Sequence, residues 1–264
     1  MRNSIADWLA LTRKFLVAAC GLGLALPALA VNTVHPDTGA WWNPAESGRG
    51  FFIESHGDTV VLSGFLYDGV GNPLWFISSG TLAGNSVSGP MLTYGFGPLG
   101  HTLGTITLQF TSSNAAMLTW PGGTEPISRF GLGPGGSVLA PTVFGPQAGV
   151  WWSPADGGQG YTVEVQGDTL LLGAYTYDAM GFPVWSIASG QVTQSHGLDT
   201  YDVEFSGAWQ RYANGQAMGA PYRMPQLANS DMAAASYTGV VPNPGFLRVK
   251  VPDGRTIQLQ KFTF

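Results

Sequence analysis

Apolar and polar positions alternate in short runs from residue 39 onward, and Gly, Pro, Asn and Asp separate the runs. A period of two marks strands with one buried face. Trp41-Trp42 opens the first strand, and Pro44 ends it because proline cannot donate to a ladder. Phe51 to His56 forms the second, closed by Gly57-Asp58, and Thr59 to Tyr67 forms the third. Asp68-Gly69-Val70-Gly71-Asn72 supplies a hairpin loop with residues that tolerate left-handed backbone, and Leu74 to Ser79 is the fourth strand. Runs at Ser86–Tyr94, Thr105–Phe110, Ala115–Trp120 and Pro126–Phe130 bring the total to about eight, at a spacing that predicts a sandwich or an up-and-down barrel. No stretch after residue 30 keeps a helical period.

The pattern then starts again. Residues 39–80 align without a gap on 149–190 at a constant offset of 110, with 20 of 42 positions identical. The predicted fold is therefore all-β: two tandem antiparallel meander units, each a small up-and-down barrel or half-barrel of about eight short strands. The first unit spans 31–133, a Gly/Pro-rich linker 134–147, and the second unit 148–264. Residues 210–236 lack clean alternation and read as an inserted loop, with room for one short helical turn. Gly245–Val251 and Thr256–Phe264 read as a closing hairpin around Pro252-Asp253-Gly254.

The N-terminus changes the compartment. Arg2, Arg13 and Lys14 precede an apolar stretch from Phe15 to Leu29, and Ala28-Leu29-Ala30 offers the small-x-small site that signal peptidase accepts. About 15 residues is short for a spanning helix, so the segment reads as a secretory signal peptide, 1–30, with no membrane span in the mature chain. Cys20, the only cysteine, follows Val17-Ala18-Ala19 in a loose lipoprotein-type box, but too few apolar residues separate it from Lys14. Cleavage after Ala30 leaves 234 residues without cysteine, which excludes disulfides and thiol chemistry. The mature chain then carries 8 Lys+Arg against 15 Asp+Glu. With so few cations and no cluster of them, nucleic acid and anionic membrane surfaces are poor partners.

Trp-Trp-Asn-Pro-Ala-Glu-Ser-Gly-Arg-Gly at 41–50 and the Y-D-x-x-G-x-P-x-W run at 67–75 resemble a tandem repeat of exported proteins of Gram-negative bacteria. Residues 151–160 and 177–185 repeat both motifs, with Asp156 for Glu46 and Gly157 for Ser47. The resemblance covers about a third of the chain; it implies export and a tandem β architecture, and it brings no activity with it.

Candidate chemistry is sparse. Adjacent strand residues face opposite ways, so one indole of Trp41/Trp42 and of Trp151/Trp152 fills the unit. The other packs under a neighbour or forms a platform for a sugar ring. Glu54 and Glu164 sit opposite the apolar face of their strands, where a solvated surface or a cross-strand pair is the simpler account and ligand binding the sharper one. Asp68 and Asp178 suit turns, and the acidic set Asp199, Asp202 and Glu204 occurs in the second copy alone. His35, His56, His101 and His196 show no metal spacing, and no hydrolase, zinc-protease, phosphate-loop or dinucleotide fingerprint is present. No metal and no cofactor is expected.

The reading these features support is an exported, non-catalytic protein of the periplasm or the outside. It binds a glycan or a cell-surface partner through Trp41, Trp42, Glu54, Trp75, Trp151, Trp152, Glu164 and Trp185. A hydrolase with its site at the repeat junction or in 210–236 is the runner-up. A structural envelope protein or an outer-membrane barrel is the third reading, the latter suggested by Phe262 and Phe264 and opposed by strands shorter than a membrane requires. Sequencing the exported protein from its N-terminus is expected to begin at Val31; a lipidated Cys20 in first place overturns the cleavage site.

Overall fold

The computed structural model describes residues 33–95, 100–196, 200–240 and 243–264; the signal peptide expected at 1–30 lies outside them. Strands β1 (Gly39–Trp42), β2 (Gly50–His56), β3 (Thr59–Tyr67), β4 (Pro73–Thr81), β5 (Ser86–Thr93), β6 (His101–Ser112), β7 (Ala115–Trp120) and β8 (Gly123–Arg129) run up and down in sequence order. β8 returns to β1, pairing Trp41 with Arg129 and Trp42 with Ser128, and closes a barrel. The second barrel repeats this plan with β9 (Gly149–Trp152), β10 (Gly160–Gln166), β11 (Thr169–Tyr177), β12 (Pro183–His196), β13 (Thr200–Ala213), β14 (Gln226–Val240), β15 (Asn243–Lys250) and β16 (Thr256–Lys261). It closes by pairing Trp151 with Lys261 and Trp152 with Gln260. No helix among the described residues is long and apolar enough to cross a membrane.

Each barrel is filled by its inward face. Trp41, Phe51, Ile53, Leu62, Phe76, Phe110 and Leu118 form the first core, and Trp151, Tyr161, Val163, Leu172, Trp209 and Leu247 the second. Cross-strand pairs compensate one another: Gly64 faces Phe76, whose ring occupies the place of a Cβ, while the matching pair in the second barrel is Ala174 and Ser186. In both hairpin loops the aspartate caps its own backbone. Asp68 Oδ1 accepts from Val70 and Asn72 N–H at 2.9 and 2.8 Å, and Asp178 Oδ1 accepts from Met180 and Phe182 N–H, both at 2.9 Å.

Two sequence expectations need correction. The irregular segment is shorter than 210–236: β13 continues to Ala213, β14 starts at Gln226, and 214–225 alone joins them. Gln226–Val240 holds only two β-branched residues, Thr238 and Val240, at its far end, yet it pairs with β13 from end to end and turns Ala233, Ala235 and Tyr237 inward. Partner strands, not local preference, decide its conformation. The strands are also longer than the apolar runs suggest, with 12 residues in β6 and 14 or 15 in β12, β13 and β14.

The two barrels belong to one compact unit and pack face to face through their outer surfaces. The contacts made by residues 39–80 and 149–190 largely occur twice, with 110 added to the residue number, as across a two-fold axis. Trp75 Nε1 donates to the Thr176 carbonyl at 2.9 Å, and Trp185 Nε1 to the Leu66 carbonyl at 2.8 Å. Phe65 and Tyr175, themselves equivalent, stack with centroids 4.7 Å apart and planes 4° from parallel, which puts the axis between them. Symmetry yields at the next residue out. Ser63 donates to the Tyr175 hydroxyl at 2.7 Å, whereas its counterpart is Gly173, where the Phe65 ring leaves a Cβ no room.

Glu54 and Glu164 lock this junction. The solvated face expected for them does not exist, because the other barrel covers it: they are 1% and 3% exposed. Glu164 accepts from Ala40 N–H of the first barrel at 2.7 Å, from Arg129 at the end of β8, and from Gln166 at 2.8 Å. Glu54 accepts from Val150 N–H of the second barrel at 2.6 Å and from Lys261 at the end of β16, with His56 Nε2 at 2.7 Å. Gly39 and Gly149 make room for these pairs. Their φ values of +142° and +139° suit glycine, and a Cβ on either would strike the carboxylate and its cation. Removing one partner of a buried pair strands the other charge, at about 3–5 kcal/mol. Glu164→Ala, which leaves Arg129 buried, is therefore expected to lower unfolding free energy by about that much in denaturant titration, against a loss under about 1 kcal/mol for an exposed pair.

Candidate functional site

The two-fold arrangement leaves a cleft on each side of the junction. One has a volume of about 580 Å³ and runs between the outer face of β3, β4 and β5 and the β9–β10 edge of the second barrel. Thr59, Val61, Ile77 and Ser79 form one wall; Val150, Trp152, Gln159 and Phe262 form the other; Trp75, Tyr94 and Tyr177 close one end. None of its lining side chains is charged. The other cleft, about 340 Å³, uses the equivalent residues Leu171 and Ile187 opposite Ala40, Trp42 and Phe130, with Trp185 at the end. Both volumes lie in the range of small-ligand sites.

The clefts differ in what covers them. Segment 214–225 crosses from the second barrel onto the first and brings Met224 and Pro225 into the Trp42 cleft. On the Trp152 side the corresponding connection between β5 and β6, 94–100, brings Tyr94 into the cleft against Trp75 and Gly95 beside Gly181 and Pro183. The polar complement differs too. Ser63 and Thr162 flank the Tyr175 hydroxyl in the Trp152 cleft, where the Trp42 side has Gly173 and Phe52 at the matched positions.

The candidate residues divide accordingly. Trp41 and Trp151 are core side chains, each donating Nε1 to a carbonyl four residues earlier, Asp37 at 3.2 Å and Gln147 at 3.0 Å. Trp75 and Trp185 are buried at the junction and form the inner ends of the clefts. Trp42 and Trp152 are the outward members. Each is half-buried and meets one phenylalanine edge-on, Phe130 at 5.1 Å and Phe262 at 6.1 Å. Glu54 and Glu164 face neither cleft's opening; both of their oxygens are engaged between the barrels. The sequence assigns none of Tyr94, Tyr177, Phe262 and Phe264 to a ligand site: Tyr94 lies outside the gapless match, Tyr177 reads as a strand residue before a turn, and Phe262 and Phe264 read as the aromatic end of a terminal strand.

Two further clusters of charge are paired within the barrels' loops and strands. Arg49 lies over the Trp120 ring, 5.0 Å from its centroid, and binds both Glu46 and Glu125. Arg255 joins Asp156 at 2.9 Å and Asp253 at 2.7 Å. Among the described residues no group of three or more His, Cys, Asp or Glu is placed to hold a metal ion. The geometry provides apolar stacking surfaces fringed by hydroxyls and amides, which is the equipment for binding. No family model, curated protein or solved structure matches this chain.

Three phenols bear on pH. Burial pushes Tyr67, Tyr161 and Tyr175 above the ordinary phenol range; Asp156 and Asp253 add to the rise at Tyr161, and the Ser63 hydrogen bond partly offsets it at Tyr175. The folded state thus holds these protons more tightly than the unfolded chain does. Their contribution to stability is complete below about pH 10 and is lost as pH climbs past it, by about 1.4 kcal/mol per pH unit for each phenol. Denaturant titrations between pH 8 and 11.5 should show this decline, with phenolate absorbance from the three appearing only on unfolding.

Proposed function

We propose that the protein is an exported, non-catalytic binding module that takes a glycan or a surface segment of a partner into the Trp152 cleft. The observation that carries this reading is the cleft itself: about 580 Å³, uncharged, walled by Trp152, Phe262, Tyr94 and Tyr177, and fringed by Thr59, Ser79 and Gln159. A flat apolar face, whether of a sugar ring or of an amino-acid side chain, stacks on such walls while side-chain hydroxyls and amides fix its orientation. Glu54 and Glu164, the carboxylates at the junction, are tied up in holding the barrels together, and the cleft lining carries no charged side chain, which weighs against a hydrolase sited there. The apolar faces of both barrels point inward, and this supports barrels that sit in water rather than in lipid.

The test is a screen of the mature protein against glycan and short-peptide arrays, followed by Trp152→Ala. The variant is expected to lose about tenfold or more in affinity for the bound class, because a central aromatic anchor carries much of such a contact. Its melting temperature should change little, since Trp152 is half-exposed. Unchanged affinity, or no binding to either array, overturns the reading.

A further inference from the structure

The Trp152 cleft is shut at one end and open at the other, and this limits what can lie in it. Trp75, Tyr94 and Tyr177 form the shut end as one aromatic cluster. The Trp75 ring stands 6.2 Å from Tyr94 and 5.6 Å from Tyr177, centroid to centroid. Trp75 is fixed there by its Nε1, which donates to the Thr176 carbonyl at 2.9 Å. Gly95, next along the chain from Tyr94, meets Gly181 and Pro183, so the two barrels are joined across this end. The open end lies further along β3 and β4. Ser79 follows Trp75 by four residues, about 13 Å at the rise of a strand, and Thr59 and Phe264 line the cleft with it. All three are exposed. A chain laid in the cleft from the Ser79 side therefore stops at Trp75.

The shut end is neutral and rich in hydroxyls. None of the side chains that line the cleft is charged. Ser63 donates to the Tyr175 hydroxyl at 2.7 Å, Thr162 hydrogen-bonds the same group, and all three line the cleft. A hydroxyl both donates and accepts, so this run can meet either role in a ligand.

We infer that the Trp152 cleft recognises the terminal unit of a neutral glycan. This rests on the cleft being the ligand site. A dead end admits the end of a chain, and chain ends differ in charge. A polypeptide ends in an ammonium or a carboxylate, both ionised at neutral pH. Either one, brought against Trp75 and Tyr94, would shed water and find no opposite charge. A neutral glycan ends in a ring that carries hydroxyls alone. Its C–H face stacks on an indole or phenol wall, and its hydroxyls pair with those of Ser63, Tyr175 and Thr162.

The experiment probes the mature, full-length protein with a printed array. Each neutral glycan appears on it with its end bare, with that end capped by a further neutral sugar, and with that end capped by sialic acid. Either cap should lower binding about tenfold or more, and calorimetry with the best bare glycan should give one molecule bound per chain. Ser79→Arg sets a long charged side chain at the exposed open end. It should weaken binding about tenfold or more without moving the melting temperature. Binding that survives both caps shows that the cleft takes the middle of a chain, and binding that Ser79→Arg leaves intact puts the glycan elsewhere; either result overturns the inference. Trp152-dependent binding of a peptide, with no glycan bound, overturns it too but spares the binding-module reading. Failure of glycans and peptides alike sinks both.

Discussion

Two carboxylates buried between two barrels set the terms for everything else in this protein. Glu54 and Glu164 each give up water, and each recovers most of the loss from the opposite barrel: a backbone N–H from its first strand and, for Glu54, a cation from its last. Glu164 likewise draws on Arg129 at the far end of the first barrel. From its own barrel each glutamate draws a single side chain, His56 for Glu54 and Gln166 for Glu164. The barrels are therefore bound to one relative placement, since a slide of a few ångströms would leave an ionised group in a dry interface. Gly39 and Gly149 follow from the same demand, as do the indole N–H bonds of Trp75 and Trp185 to facing carbonyls.

The clefts are a by-product of that placement. Two convex barrels in contact along an axis through Phe65 and Tyr175 must leave a groove on either side, and duplication makes the grooves alike in plan. Their walls then diverge through ordinary substitution: Ser63 against Gly173, Thr162 against Phe52, Gln159 against Arg49. The largest divergence is the strap of residues 214–225, which brings Met224 and Pro225 into one groove from a connection five residues longer than its counterpart.

Much of the fold was legible in the sequence because alternation and the 110-residue offset speak directly of strands and of duplication. The number of strands in each unit and the hairpin turns at Asp68 and Asp178 came from local chemistry alone. The junction did not, for a physical reason. Glu54 beside Phe52 looks like any outward residue on a half-buried strand, and nothing local says that the outer face meets another barrel. Its cation was further hidden, since Arg129 and Lys261 lie beyond the gapless match and at unequal distances from it. Strand β14 was obscured by its Ala-rich composition, which leaves ladder pairing with β13 to do what side-chain preference does elsewhere. Of the site, the outward Trp152 was foreseeable from strand geometry; Phe262 and Tyr94 reach it only through closure of the barrels.

Closure itself has a consequence for how the protein behaves among its neighbours. A strand-rich, Gly-rich chain with few charges is ordinarily at risk of adding strands from other chains to any unpaired edge, the route by which sheets grow into aggregates. Here each first strand, although only four residues long, is hydrogen-bonded on both sides, and neither sheet ends in a free ladder. Protection depends on the few register pairs that seat β8 and β16 against those short strands. Loosening of that seam would expose two long runs of unpaired amide at once, so the narrowest joint in each barrel is also its guard against self-association.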